Sequence, residues 1–227
     1  MNVAVILAGG TGSRLGGDLP KQFLTVGGRM VIEYSVDAFE QHSGIDEICI
    51  VCHADYLNRM QCIVQANAWA KVRKVLTGGK ERYQSCMAAI QAYDADDNLL
   101  LHDAARPLVS QRIITDCLEA LRTCSAVGVA VPATDTVVEV DEHNRLKCVL
   151  RRATLRNMQT PQCFRQSTIL QAYALALQDP AFCATDDCSV VRQYLPEVPV
   201  CLVEGEHANI KITYPEDLRR IFPPIII

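Results

Sequence analysis

Asn2-Val-Ala-Val-Ile-Leu-Ala-Gly-Gly-Thr-Gly-Ser-Arg-Leu-Gly16, with Pro20-Lys21-Gln22-Phe23 just behind it, is the stretch from which the fold is read. Asn2 to Leu7 is an apolar run of strand length, and it leads straight into a glycine-rich turn flanked by two cations, Arg14 and Lys21. Gly9, Gly10 and Gly12 leave no side chain in the way, so several N–H groups can point at one anion. Arg14 adds a flat donor fork and Lys21 a mobile point charge, which suits a polyphosphate on which negative charge develops. These residues point to a nucleoside triphosphate site. Two common glycine motifs do not fit: a P-loop needs Gly-Lys-Ser/Thr, and a dinucleotide fingerprint needs a third glycine where Ser13, Arg14 and Leu15 stand.

Working outward, apolar runs of strand length alternate with segments of helical spacing. Helices are expected over Met30–Phe39, Ala54–Ala68, Glu81–Tyr93 and Ile113–Thr123, and strands over Ile45–Cys52, Val72–Leu76, Asn98–His102 and Ala126–Val131. This rhythm implies an α/β fold with a mostly parallel sheet, helices on both faces and right-handed crossovers. Ligands of such sheets sit beyond the carboxyl ends of the strands. The first strand ends there in the glycine-rich loop, the third in Thr77-Gly78-Gly79-Lys80-Glu81-Arg82-Tyr83-Gln84-Ser85, and the fourth in His102-Asp103-Ala104-Ala105-Arg106-Pro107. Ser85 lies where its hydroxyl could meet a base or sugar. Asp103 is placed to hold Mg²⁺ with phosphates as further ligands, and Arg106 to steady that acid or reach an anion.

The rhythm then breaks. Thr136–Asp141 and Arg145–Leu150 flank Glu142-His143-Asn144 and read as a hairpin, so residues 134–156 are expected to form an arm inserted in a single domain spanning 1–227. A lone two-stranded ribbon is marginally stable, which suggests a homodimer built through the arm. Gln159-Thr160-Pro161-Gln162 reads as irregular, and Gln166–Leu177 as a helix. Thr185-Asp186-Asp187 caps a further helix through Tyr194, Val198–Val203 is a strand, and Asn209–Thr213 a short strand presenting Lys211. A closing helix starts near Pro215, and the apolar tail 223–227 reads as packing or a dimer contact.

A net charge of −4 excludes the broad basic surface of a general nucleic-acid binder. No apolar run of about 18 residues is present, which gives no reason to expect membrane insertion; a cytoplasmic enzyme is the expectation. The 11 cysteines, odd in number and scattered through expected strands and helices, read as reduced core residues. Cys49 and Cys52 have C-x-x-C spacing, but a strand puts them on opposite faces.

L-A-G-G-T-G-S-R-L-G, P-K-Q-F, G-G-K-E-R, H-D-A-A-R-P, Q-T-P-Q, T-D-D and N-I-K, in that order across nearly the whole chain, resemble the bacterial cytidylyltransferases that activate sugar-alcohol phosphates with CTP. The resemblance is to the 2-C-methyl-D-erythritol 4-phosphate cytidylyltransferase family, with ribitol 5-phosphate cytidylyltransferases as close relatives. It implies a Rossmann-like nucleotidyltransferase fold, CTP and a sugar-alcohol phosphate as substrates, Mg²⁺ as cofactor, and an arm exchanged across a homodimer. It also implies that Arg14 and Lys21 stabilise the pentavalent transition state, that Ala8, Gly9, Gly10, Thr11, Gly12, Gly79, Ser85 and Ala104 hold the nucleotide, and that Asp103 lies near metal and acceptor. Arg152, from the partner's arm, and Thr160 and Lys211 match positions that place the acceptor phosphate; Thr136 and Thr185 match further acceptor-side threonines. Lys80 departs from the pattern, since many family members carry an acid there. R-R-A-T-L before Q-T-P-Q is similar to the isoprenoid branch and S-Q-R-I-I to the ribitol branch, so methylerythritol phosphate is the expected acceptor and ribitol phosphate the alternative.

Overall fold

The computed structural model describes residues 1–10 and 19–221; Thr11, Gly12, Arg14 and the tail 223–227 lie outside the described residues. In chain order the chain forms β1 (Asn2–Ala8), β2 (Thr25–Val26), β3 (Arg29–Met30), α1 (Val31–Glu40), β4 (Glu47–Cys52), α2 (Leu57–Asn67) and β5 (Val72–Thr77). Then follow α3 (Arg82–Ile90), β6 (Asn98–Asp103), α4 (Gln111–Ala120), β7 (Ala126–Pro132), β8 (Val138–Val140) and β9 (Leu146–Val149). The chain closes with β10 (Arg156–Arg165), α5 (Gln166–Ala176), α6 (Asp187–Tyr194), β11 (Cys201–Glu204) and α7 (Pro215–Ile221).

Burial on both faces explains why the central strands are continuous apolar runs rather than alternating ones. Along β1, Ala4, Ile6 and Ala8 enter one core with residues of α1, α2 and α4. Val3, Val5 and Leu7 enter the other, with residues of α3, α5 and α6. Cys52 and Cys49 fall in these two separate cores, as the two-residue period of a strand requires. The helices follow the same logic: α1 buries Val31, Ile32, Ser35, Val36 and Phe39, one stripe of its surface.

The seven-stranded sheet has the order β11-β7-β10-β6-β1-β4-β5. Neighbours are parallel except around β10, which runs antiparallel to both β6 and β7. From β1 the chain moves outward through β4 and β5, then returns to lay β6 on the other side of β1. That reversal opens a crevice at the carboxyl ends of β1 and β6, where a doubly wound sheet takes its ligand.

Three expectations need correction, and the cap before α6 is borne out. Gln159–Gln162 is no break but part of β10: the Thr160–Pro161 peptide is cis and the pairing with β7 shifts register between Gln159 and Gln162, so the strand carries its proline through an irregularity. Asn209–Thr213 is not a strand; it is a loop that makes no ladder and is pinned by the hydrogen bonds described below. The helix after Thr185 is capped by Asp186, whose side chain accepts from Ser189 N. The cysteines are not uniformly reduced core residues, because Cys124, just beyond α4, and Cys201, at the start of β11, form a disulfide with Cα atoms 6.5 Å apart, and Cys62 and Cys183 are exposed. A separation of 77 residues hides that pair from any local reading.

Candidate active site

The cleft at the carboxyl ends of β1 and β6 has a volume of about 270 Å³ and is lined by Gly9, Gly10, Lys21, Gly79, Ser85, Asp103, Ala104 and Lys211, among others. The sheet reversal brings β1 and β6 side by side, so Leu7 pairs with Asp103 and the two loops leave the sheet together. The Gly78-Gly79 turn approaches closely: a Cβ added at Gly78 would run into Ser85 Oγ, and one at Gly9 would stand 3.1 Å from it. Ser85 thus sits between the two glycine loops, and its closest approach is to Gly78.

Gln22 was not singled out from the sequence, although it belongs to P-K-Q-F. Its buried amide donates to Ala8 O (2.7 Å) and Gly10 O (3.1 Å), which holds the start of the glycine-rich loop against the short helical turn Lys21–Phe23. Lys21 Nζ donates to Ile212 O at 3.0 Å. This ties the first loop to the loop that carries Lys211. Ile212 N donates to Ala105 O (2.8 Å) and Arg106 Nη1 to Asn209 O (2.7 Å), so the Asn209–Thr213 segment is fixed from both ends.

Lys211 therefore reaches Asp103 from a loop, with Nζ 2.7 Å from Oδ2. On the other side Arg82 Nε lies 3.5 Å from Asp103 Oδ1. Burial alone would raise the Asp103 pKa, but Lys211 and then Arg82 outweigh it and hold the carboxyl well below the usual range. Among the described residues no group of three or more His, Cys, Asp or Glu side chains could hold a metal by themselves. A magnesium ion here would find the Asp103 carboxylate and would take its other oxygens from substrate phosphates and water, a donor set that fits Mg²⁺.

A neutral relay stands behind Asp103. Arg106 O can only accept, so His102 Nε2 carries the ring proton to it (3.0 Å); Nδ1 then accepts from the Thr160 hydroxyl (3.0 Å), whose oxygen accepts from Asp103 N–H (3.1 Å). Burial pushes the His102 pKa down to about 4. The unfolded chain, with an ordinary value near 6.5, binds a proton there first, so acidification from about pH 6.5 to 4 removes roughly 3 kcal/mol of stability and further acidification removes no more at this site. Urea unfolding across that range is expected to show a steeper acid limb in the wild type than in His102→Gln; equal slopes would remove His102 as its source.

The remaining sequence candidates divide clearly. Ala8 and Ala104 close the strand ends, with Ala104 N bonded to Leu7 O at 3.1 Å. Thr160 faces the relay rather than open cleft, and Arg106 donates to the backbone of Asn209 and Met158. Thr136, Arg152 and Thr185 are exposed and do not line the cleft; Arg152 Nη1 donates to Thr134 O at 3.1 Å, and Thr185 Oγ1 lies 3.2 Å from Ser189 Oγ. Arg82 and Asp187, which stand 2.6 Å apart, went unremarked although G-G-K-E-R and T-D-D contain them.

The family model of IspD, 2-C-methyl-D-erythritol 4-phosphate cytidylyltransferase, matches residues 2–221. The chain belongs to this family. A 2-C-methyl-D-erythritol 4-phosphate cytidylyltransferase of Thermobifida fusca is 50% identical over 222 residues, covering 95% of this chain and 89% of that protein. The bifunctional ribulose 5-phosphate reductase/CDP-ribitol pyrophosphorylase of Haemophilus influenzae is 41% identical over 96% of this chain, but the match spans 46% of that protein. Among solved structures, the 4-diphosphocytidyl-2C-methyl-D-erythritol synthase of Anaerococcus prevotii superposes with a TM-score of 0.86 at 30% identity, covering 97% and 94% of the two chains. The IspD fold thus accounts for a mostly parallel sheet with its cleft at the β1/β6 reversal. Among the described residues no helix is long and apolar enough to cross a membrane.

Proposed function

We propose that the chain transfers CMP from CTP to 2-C-methyl-D-erythritol 4-phosphate, releasing pyrophosphate and forming the CDP-alditol. The observation that carries this reading is the convergence of Gly9–Gly10, Lys21, Asp103 and Lys211 on one cleft in a chain of this family. An acceptor phosphate oxygen attacks the α-phosphorus in line, the new O–P bond forms as the bond to the bridging oxygen breaks, and pyrophosphate carries away the charge. The monoester is already ionised, so no strong base is needed; positioning and charge neutralisation supply the rate. That is why the cleft holds cations rather than a nucleophile with its base. Lys21, with Arg14, is read as the transition-state cation, and Lys211 as the cation that seats the acceptor phosphate. Magnesium, when bound with the triphosphate, would neutralise phosphate charge beside Asp103. The test is pyrophosphate release from CTP, UTP and GTP with this acceptor: CTP alone is expected to support it, and release from another nucleotide to the same extent would overturn the base assignment.

The arm supports a homodimer. Val138, Val140, Leu146 and Val149 are each at least 40% exposed on β8 and β9, an apolar load that a second copy would cover. In that arrangement Arg152 works in the partner's cleft. Arg152→Ala is expected to raise the acceptor KM by about tenfold or more, with CTP affinity kept; unchanged acceptor kinetics would remove Arg152 from the site. CTP as donor also implies action in the cytoplasm.

A further inference from the structure

Asp187 is fully buried at the start of α6, where its carboxyl faces the Arg82 guanidinium. Its Oδ1 accepts from Tyr173 OH (2.7 Å), its Oδ2 lies 2.6 Å from Arg82 Nη2, and its backbone N–H is held by Gln162 Oε1 (2.9 Å). Arg82 opens α3 and lines the cleft. One guanidinium is therefore shared unequally between two carboxylates, with a short contact to Asp187 and a long one, 3.5 Å, to Asp103. Stability is a poor reason for such a pair, because well-packed apolar residues in place of a buried ion pair are often neutral or better. The asymmetry suggests another.

We propose that Asp187 tethers Arg82 as a positioning residue: it holds the guanidinium back from Asp103, so that Oδ1 stays available to the acceptor or its magnesium. An Arg82 released from Asp187 would close on the carboxylate still beside it as a two-pronged pair, the geometry that guanidinium and carboxylate favour. Asp103 would then be occupied at both oxygens, by Arg82 and by Lys211. The inference rests on reading the cleft as a cytidylyltransferase site, and it adds a link from α6, through Tyr173, Asp187 and Arg82, to the central acid.

Asp187→Asn keeps the shape and the tyrosine contact but removes the charge. Its crystal structure is expected to show Arg82 drawn onto Asp103 at N···O distances of about 2.8 Å. Its acceptor KM should rise about tenfold, as changes behind a ligating group usually do, with the CTP KM little changed. The effect should vanish in an Arg82→Met background, where Asp187→Asn has nothing left to release. An Arg82 that stays in place in Asp187→Asn, or a variant whose melting temperature falls while its kinetics stay wild type, would overturn the tether and leave a structural ion pair only. If Asp187→Asn does not fold, Tyr173→Phe decides the matter, since it removes the hydrogen bond that orients the Asp187 carboxyl; a smaller rise in acceptor KM is expected, and an unchanged acceptor KM there is equally fatal. Absence of turnover by the wild type would instead overturn the cytidylyltransferase reading, and the crystal structure would still decide the tether.

Discussion

Lys21→Ala is expected to lower kcat by about 10²–10³-fold while the dissociation constant for CTP is little changed. The size follows from where the ammonium sits. Lys21 lines the cleft from the short turn behind the glycine-rich loop, and its Nζ is oriented by Ile212 O, so it is held in place before substrate arrives. A preorganised cation contributes most where charge grows, on the oxygens around the α-phosphorus as the fifth bond forms, and contributes less to ground-state binding, which the loop N–H groups share. Single-turnover kinetics at saturating CTP, with CTP affinity from isothermal titration, separate the two. Equal losses in turnover and in binding would assign Lys21 to uniform binding and refute the transition-state role. Lys211→Ala is a useful contrast within the same cleft.

Lys211→Ala is expected to lower kcat/KM for the acceptor by about 10²-fold, because it removes an anion-seating cation and also the nearest counter-charge to Asp103. The second effect has its own signature. Lys211 is the largest influence opposing the upward push of burial on Asp103, so its loss raises the Asp103 pKa. In the wild type Asp103 contributes stability at every pH above the unfolded value near 3.9 and loses that contribution only as pH falls below it. In the variant the acid limb of the rate profile should move to higher pH. A profile superimposable on that of the wild type would show that Lys211 does not govern Asp103.

Much of this site could be read along the chain. Asn2–Leu7 and Asn98–His102 announce buried parallel strands because both of their faces are covered, and an acid or a glycine pair directly beyond such a strand lands on the ligand-binding rim. Asp103, Ser85, Gly79 and Lys21 were found in that way. What stayed hidden depends on distant partners. Gln22 matters because it spans back to Ala8 and Gly10, and Arg82 and Asp187 because folding places α3 beside α6, about 100 residues apart in sequence. Thr160 looked free to meet a substrate, yet its hydroxyl joins Asp103 N–H to His102, a relay invisible until β10 is laid against β6. Ile-Lys-Ile alternates like a strand, but hydrogen bonds from Lys21 and Arg106 fix it as a loop. Local pattern reports burial and period; it does not report which side chains meet.

The most direct measurement is the fate of label from CTP carrying radioactive phosphorus at the α position, incubated with Mg²⁺ and, in parallel, 2-C-methyl-D-erythritol 4-phosphate or ribitol 5-phosphate. The expected result is label in a CDP-alditol, unlabelled pyrophosphate, and strong preference for the methylerythritol acceptor. Label that remains in CTP or emerges as free CMP with both acceptors would contradict nucleotidyl transfer, and preference for ribitol 5-phosphate would contradict the proposed acceptor.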